Sequence, residues 1–420
     1  MWSRFEWKPI FSTLLRNKTA PFLVALQIAI SLAILINAIY IVQLRLQTAQ
    51  RPSGVSHEEN YFTLRIGGLN RGGHEQQLAL QAQIIDTLKA LPGSASAVWL
   101  SQTPLSQSGS TSSLYADRKA GRESGVNSSV YISPDSLIQH WGLKLIQGRD
   151  FNRDDVHEKN IATEDEESGV NMQVAIISLA LAQKLYPGQT EFIGKSLFWG
   201  AGSEAEEYKI IGVVERLQTH GADLGSNGET SVLLPYRLSN YPYGQFQVQS
   251  KPGQRDSTMK LAMQALRQLN GMNFDVASES MEDDRKERYR ADLALAWMLI
   301  AVSVLLVLVT LSGIVGMSSL WVTQRRKQIG IRRALGGQRS DILRYFLTEN
   351  FLISSAGTLL GIVLAIGLNQ FLIQQFELSK LPPVYFPVAG SLFIAMGLAA
   401  AFVPAYRAAQ LSPAIATRSV

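Results

Sequence analysis

Apolar residues in this chain gather into four blocks separated by sequence of ordinary polarity. The blocks run from Pro21 to Gln43, Leu293 to Val322, Phe351 to Gln374 and Val384 to Tyr406, and none contains Asp, Glu, Lys, Arg or His. A helix rises about 1.5 Å per residue, so about 20 apolar residues cross a bilayer. Each block therefore predicts a membrane-spanning helix. The second is longer than a bilayer needs and follows the polar helical run MEDDRKERYRAD, which predicts a helix that rises above the membrane before entering it. Pro382 and Pro383 stand between the third and fourth blocks and predict a tight turnaround.

The long interval after the first block changes period. Short runs of strand-forming residues at Tyr61–Ile66, Val174–Ile177, Tyr208–Val214 and Phe246–Gln249 alternate with helical patterns at Gln76–Ala90, Leu179–Leu185 and Ser257–Leu269. A mixed α/β domain outside the membrane is expected. Ser101–Ser129, rich in Ser, Gly and Gln, and the acidic Asn160–Gly169 read as loops or flaps.

Charge then orients the chain. Arg4, Lys8, Arg16 and Lys18 precede the first block; Arg325, Arg326, Lys327, Arg332, Arg333, Arg339 and Arg344 lie between the second and third; Arg407 and Arg418 follow the fourth. The turnaround offers only Lys380. With four spans all the basic segments fall on one side, so both termini and the 323–346 segment are expected in the cytoplasm, with the large domain outside. The net charge of +5 is thereby a matter of membrane topology and membrane lipid; nucleic acid is not implied. Trp2, Phe5, Trp7, Ile10, Phe11, Leu14 and Leu15 alternate with basic residues and predict a helix lying in the interface plane, with a loosely ordered tail as the alternative reading. A cleaved signal peptide fits poorly, because the apolar run is too long and lacks a small-residue cleavage site.

Chemistry is sparse. The chain has no cysteine, hence no thiolate metal site or thiol nucleophile. His57, His74, His140, His157 and His220 are scattered without metal-ligand spacing, and no serine sits in a nucleophile-elbow frame. Gly194-Lys195-Ser196 ends like a phosphate-binding loop, but Gln189 stands where the earlier glycine would be. Spans without ionisable groups disfavour an ion-coupled transporter. No catalytic residue and no metal site are assigned.

Two patterns remain. In QRRKQIGIRRALGGQRSDILRYFLTEN, a short helix carries Ile329, Ile331, Ala334 and Leu335 on an expected common face, with Arg332 and Arg333 on its flank. Gly336-Gly337 ends it, and Ser340 or Asp341 is expected to cap the next helix. Composition leaves two readings open: a partner-contacting helix, or an interfacial one that only obeys the positive-inside pattern. In the third block Gly357, Gly361 and Ala365 form a small-residue face for close helix packing, within the chain or between copies.

The segment GIVGMSSLWVTQRRKQIGIRRALGGQRSDILRYFLTENFLISSAGTLLGIVLA resembles the permease core of the MacB/FtsX family of ABC transporters. AYRAAQLSPAIATR resembles the family's closing segment, and GLKLIQGRDFNRDD, VAIISLALAQKLYPG, FIGKSL and YKIIGVVE resemble successive parts of its extracytoplasmic domain. The resemblance implies a permease with four transmembrane α-helices and a large mixed α/β extracytoplasmic domain inserted between helices 1 and 2. The implied segments are 1–20 interfacial, 21–43 first helix, 44–290 periplasmic domain with stalk, 291–322 second helix and 323–346 coupling segment. Then follow 347–374 third helix, 375–383 external loop, 384–406 fourth helix and 407–420 cytoplasmic tail.

It further implies that Gln328, Ile329, Gly330, Ile331, Arg332, Arg333, Ala334, Leu335 and Gly336 form the coupling helix that seats on an ABC ATPase. Family members usually carry Glu where this chain has Gln328. The implied partners are a separate cytoplasmic ATPase that holds ATP and Mg2+, a second permease subunit in a homodimer or heterodimer, a periplasmic adaptor and an outer-membrane duct. The implied work, in the bacterial inner membrane, is mechanical coupling of ATP hydrolysis to the periplasmic domain for export of a peptide, antibiotic or lipid-linked substrate. Two other branches of the family offer alternatives: activation of an external enzyme, as in FtsX, or release of lipoproteins.

Overall fold

The computed structural model describes residues 19–410 apart from 68, 70–71, 107–108, 120, 163–172, 203–204, 222–224, 243, 270–273 and 377–379. The expected N-terminal interfacial helix, most of the acidic 160–169 stretch and the end of the closing segment lie outside the described residues. The chain divides into two units, 1–47 with 292–420, and 48–291.

The first helix, α1 (Thr19–Ala49), leads into the outer unit. There follow β1 (Tyr61–Gly67), α2 (His74–Lys89), β2 (Ser94–Leu100), β3 (Thr111–Tyr115), β4 (Val126–Ile132), α3 (Leu137–Trp141), β5 (Leu145–Gly148), β6 (His157–Asn160), β7 (Gln173–Ser178) and α4 (Leu179–Leu185). The unit continues with β8 (Ser196–Trp199), β9 (Glu206–Val214), β10 (Ser231–Leu234), β11 (Tyr236–Ser239), β12 (Gln245–Ser250), α5 (Arg255–Arg267) and β13 (Asp275–Ser280). The expected mixed α/β architecture is observed. Ser101–Ser129 is not only loop, because it contains β3 and the start of β4. Its serines misled: Ser128 and Ser129 are fully buried in the sheet, where Ser128 Oγ donates to the Val126 carbonyl and Ser129 Oγ hydrogen-bonds His220 Nδ1 at 3.0 Å.

Two sheets organise this unit. One is four-stranded and antiparallel, in the order β13-β1-β12-β2. Side chains alternate across a strand, so Phe62, Leu64 and Ile66 turn one face toward the core that Ile84 and Leu88 of α2 and Ala262 and Leu266 of α5 complete. Tyr61, Thr63 and Arg65 turn the other way. The second sheet, β5-β9-β7-β10-β4-β3-β8, also pairs β8 with β9 and so closes on itself, with β5 appended to the ring. Its inner residues, among them Ala175, Ile177, Ile210, Val213 and Val232, are fully buried in the same core.

The membrane unit contains α1, α6 (Met281–Gln324), α7 (Arg326–Ala334), α8 (Arg339–Phe376) and α9 (Tyr385–Ala409). Four of these are long and apolar enough to cross a bilayer. The apolar stretch of α1 is 56% buried against 11% for α6, which makes α1 the central helix and leaves α6 on the flank. Small residues permit that centre. A methyl group on Gly357 would meet the Ala25 carbonyl oxygen at 2.7 Å, and one on Gly361 would meet that of Ala29 at 3.0 Å. Ala365, fully buried, lies further along the same face, where its carbonyl accepts from Asn37 Nδ2 at 3.2 Å. Polar groups are spent between helices in the same way: Gln27 Nε2 donates to the Val309 carbonyl at 3.1 Å and Thr310 Oγ1 to Ser31 at 2.9 Å.

Candidate functional site

The basic segment between α6 and α8 folds into a sharp elbow. Val322 ends the apolar run of α6, Arg325 caps α7, and nine residues later the helix stops. Its stop follows from glycine: Gly336 has φ +94°, and Gly336 and Gly337 donate to the carbonyls of Arg333 at 3.2 Å and Arg332 at 3.0 Å, closing the open C-terminal end. The next helix begins at Arg339, so neither Ser340 nor Asp341 stands outside it as the expected cap. Asp341 instead reaches back from the first turn to accept from the Gln338 N–H at 3.2 Å.

At about 100° per residue, Ile329 and Ile331 diverge to nearly opposite sides of α7, and the expected common face is split. Ile329 is buried with Ile342, Phe346, Ala405 and Ala408, which seats α7 on α8 and α9. Ile331 is 48% and Leu335 76% exposed, so two large apolar side chains stand outward among Arg326, Lys327 and Arg332. Gly330 is buried beside Ile329; Gln328 and Ala334 are exposed and Arg333 is half-buried. Gln328 and Arg332 line a cavity of about 40 Å³ together with Arg325, Ile329, Tyr345 and Phe346, room for about two or three waters.

Arg325 anchors the elbow from beneath. Its Nη1 donates to Glu349 Oε2 at 3.0 Å and to the Tyr345 hydroxyl at 3.2 Å, and its guanidinium lies 5.4 Å from the Trp321 ring centre. Glu349 is wholly buried, and its Oε1 has no hydrogen-bond partner among the described residues. Sequence reasoning missed this pair. The available signal was a carboxylate two residues ahead of an apolar block, within reach of a basic run. The Arg332 guanidinium also lies over Tyr345, 5.5 Å from the ring centre.

The remaining motifs fall elsewhere. Gly194, with φ +83°, makes the turn before β8; Lys195 lies 4.7 Å from the Tyr186 ring centre and Ser196 Oγ donates to Glu207 at 2.6 Å. The lysine and hydroxyl are thereby committed within the outer unit. Among the described residues no three His, Asp or Glu side chains converge as metal ligands.

Comparison with known proteins places both units. Residues 22–269 match the MacB-like periplasmic core domain, and residues 300–413 match the FtsX-like permease C-terminal domain. The macrolide export ATP-binding/permease protein MacB of Chromobacterium violaceum is 28% identical over 309 residues, 71% of this chain and 44% of that protein. The pyoverdine export ATP-binding/permease protein PvdT of Pseudomonas savastanoi pv. phaseolicola is 30% identical over 282 residues, 64% of this chain and 41% of that protein. The chain thus spans less than half the length of these relatives. The extracellular domain of the noncanonic ABC-type transporter YknZ aligns over 52% of this chain and all of that domain, at 19% identity and a TM-score of 0.32.

Proposed function

The chain belongs to the MacB/FtsX family of ABC transporter permeases, and from that membership we propose that its elbow is the seat of an ABC ATPase and that α6 carries the resulting movement to the periplasmic domain. The observation that supports this reading is the outward pair Ile331 and Leu335 on a helix locked from below. Apolar side chains flanked by arginines suit a groove with acidic margins on a cytoplasmic partner. Around the small cavity, Gln328 and Arg332 call for a carboxylate from that partner, since no acidic residue among the described residues lines it. Both termini then lie in the cytoplasm.

ATP binding closes two ATPase subunits and draws two elbows together. Because α6 is one uninterrupted helix from Met281 to Gln324, displacement of its lower end is carried along its axis. Gln27, Asn37 and Thr310, polar residues between the spans, are engaged in hydrogen bonds between helices, which favours work on a substrate already outside over passage through the bundle. Export of a peptide, antibiotic or lipid-linked substrate by a dimer of permeases, through an adaptor and an outer-membrane duct, is the corresponding task. Co-purification with candidate ATPases, followed by turnover assays of Ile331→Asp and Arg332→Glu, tests the assignment. Loss of the complex or of permease-stimulated turnover is expected; an intact complex with unchanged turnover in both variants refutes it.

A further inference from the structure

Part of the second face of the four-stranded sheet is polar and yet buried, while Arg65 and Glu279 toward its β13 edge stay partly exposed. By strand register, Thr63 stands opposite Gln247 on one side and Glu279 on the other, with Arg65 next along the same face. Thr63 and Gln247 are at most 1% exposed. Trp141 of α3 donates to Gln247 Oε1 at 2.6 Å, and Tyr61 donates to the His140 carbonyl at 2.5 Å, so α3 covers one end of the face. The first turns of α6 cover the other end, and there they bury Asp284 to 1% exposure. Both carboxyl oxygens of Asp284, Thr63 Oγ1, Arg65 Nε, Gln247 Nε2 and His140 Nε2 have no hydrogen-bond partner among the described residues. A seam with so many unmatched polar atoms holds weakly compared with an apolar one.

We propose that Asp284 is a proton-operated latch: with its proton it keeps the root of α6 against the sheet, and on losing it the root is released toward water. A neutral carboxyl tolerates this burial; a carboxylate does not, because the one cation that faces it among the described residues is already paired. Arg65 lies 3.3 Å from Glu279. The charged groups facing Asp284 are Glu279 from β13, Arg65 from β1 and Asp283 from its own helix. Asp283 is held by Ser280 Oγ at 2.6 Å, at the start of α6. His140, at the α3 end, is kept neutral by burial, which lowers it to about 3. Burial, with the Glu279 charge adding to it, raises Asp284 to about 7. The native value lies above the ordinary one of 3.8, so the latch is fully engaged at low pH and is lost as pH rises through about 7. An acidified exterior therefore fastens the joint and an alkaline one loosens it.

The latch does not depend on which partner drives the elbow, and its test needs none. The full-length chain in lipid nanodiscs is followed by hydrogen exchange of the peptide covering 281–291, corrected for the intrinsic pH dependence of exchange. One released proton makes the open fraction rise about tenfold between pH 6 and pH 8. Asp284→Asn is expected to give a flat profile. Glu279→Gln, which leaves Asp284 in place and removes the adjoining negative charge, is expected to move the midpoint to lower pH. A flat wild-type profile, an unchanged tenfold rise in Asp284→Asn, or an unmoved midpoint in Glu279→Gln overturns the proposal.

Discussion

Replacing Glu349 by leucine leaves the Arg325 guanidinium under the elbow without its counter-ion. In the native arrangement Arg325 is 15% and Glu349 0% exposed, so the pair is desolvated and removing one partner is expected to cost about 3–5 kcal/mol. The guanidinium keeps its contacts with the Trp321 and Tyr345 rings, at 5.4 and 5.9 Å, and the Tyr345 hydroxyl. Each ring contact contributes about 0.5–1 kcal/mol, which points to the lower end, about 3 kcal/mol. Arg325→Met strands the carboxylate instead and is expected to cost more, since Glu349 has no other described partner to fall back on. The double variant removes both charges and is expected to lie within about 1 kcal/mol of the native protein. Trypsin reads this directly, because Arg326, Lys327, Arg332 and Arg333 are cleavable only when α7 opens, and cleavage then follows the open population. A cost of about 3 kcal/mol corresponds to cleavage about a hundredfold faster in Glu349→Leu, largely reversed in the double variant. Additive losses in the double variant, or a single-variant rate within about threefold of native, would refute the argument that this pair holds the elbow.

Other consequences are as specific. Gly357→Ala places a methyl group 2.7 Å from the Ala25 carbonyl, so thermal unfolding in detergent should show a loss of about 1–3 kcal/mol, whereas Gly367→Ala, which meets open space, should lose little. His140 is held neutral, below its ordinary value of 6.5 at about 3, so the stability it contributes is present above pH 6.5 and lost as pH falls toward 3. His140→Asn should flatten that part of the stability profile, measured as Tm against pH. Asn37→Leu removes bonds to the carbonyls of Ala33 and Ala365 at 2.9 and 3.2 Å, and should cost about 1 kcal/mol in a refolding titration.

Much of this fold could be read from residue order because two solvents impose two patterns. A bilayer demands unbroken apolar runs, and those were visible as blocks; the strands around Tyr61, Val174, Tyr208 and Phe246 showed by alternation and β-branching. What stayed hidden was tertiary. Ser128 and Ser129 looked like loop residues because composition does not reveal that a sheet buries them. Ile329 and Ile331 looked equivalent until the helix phase was fixed by its seat on Ile342 and Phe346. The Arg325–Glu349 pair joins residues 24 apart, and Asp284 lies within the polar run MEDDRKERYRAD, where nothing local distinguishes it from the acids beside it. Local sequence offers both carboxylates but does not show where either is buried.

The bond between β8 and β9 turns the larger sheet into a hoop. An open sheet can shear or fan at its free rim; a hoop must swing as one piece, because any strand that shifts drags both neighbours. Cross-links placed between β3, β8 and β9 should therefore leave the proposed coupling intact, while tethers that pin the whole hoop to a fixed support should stop it.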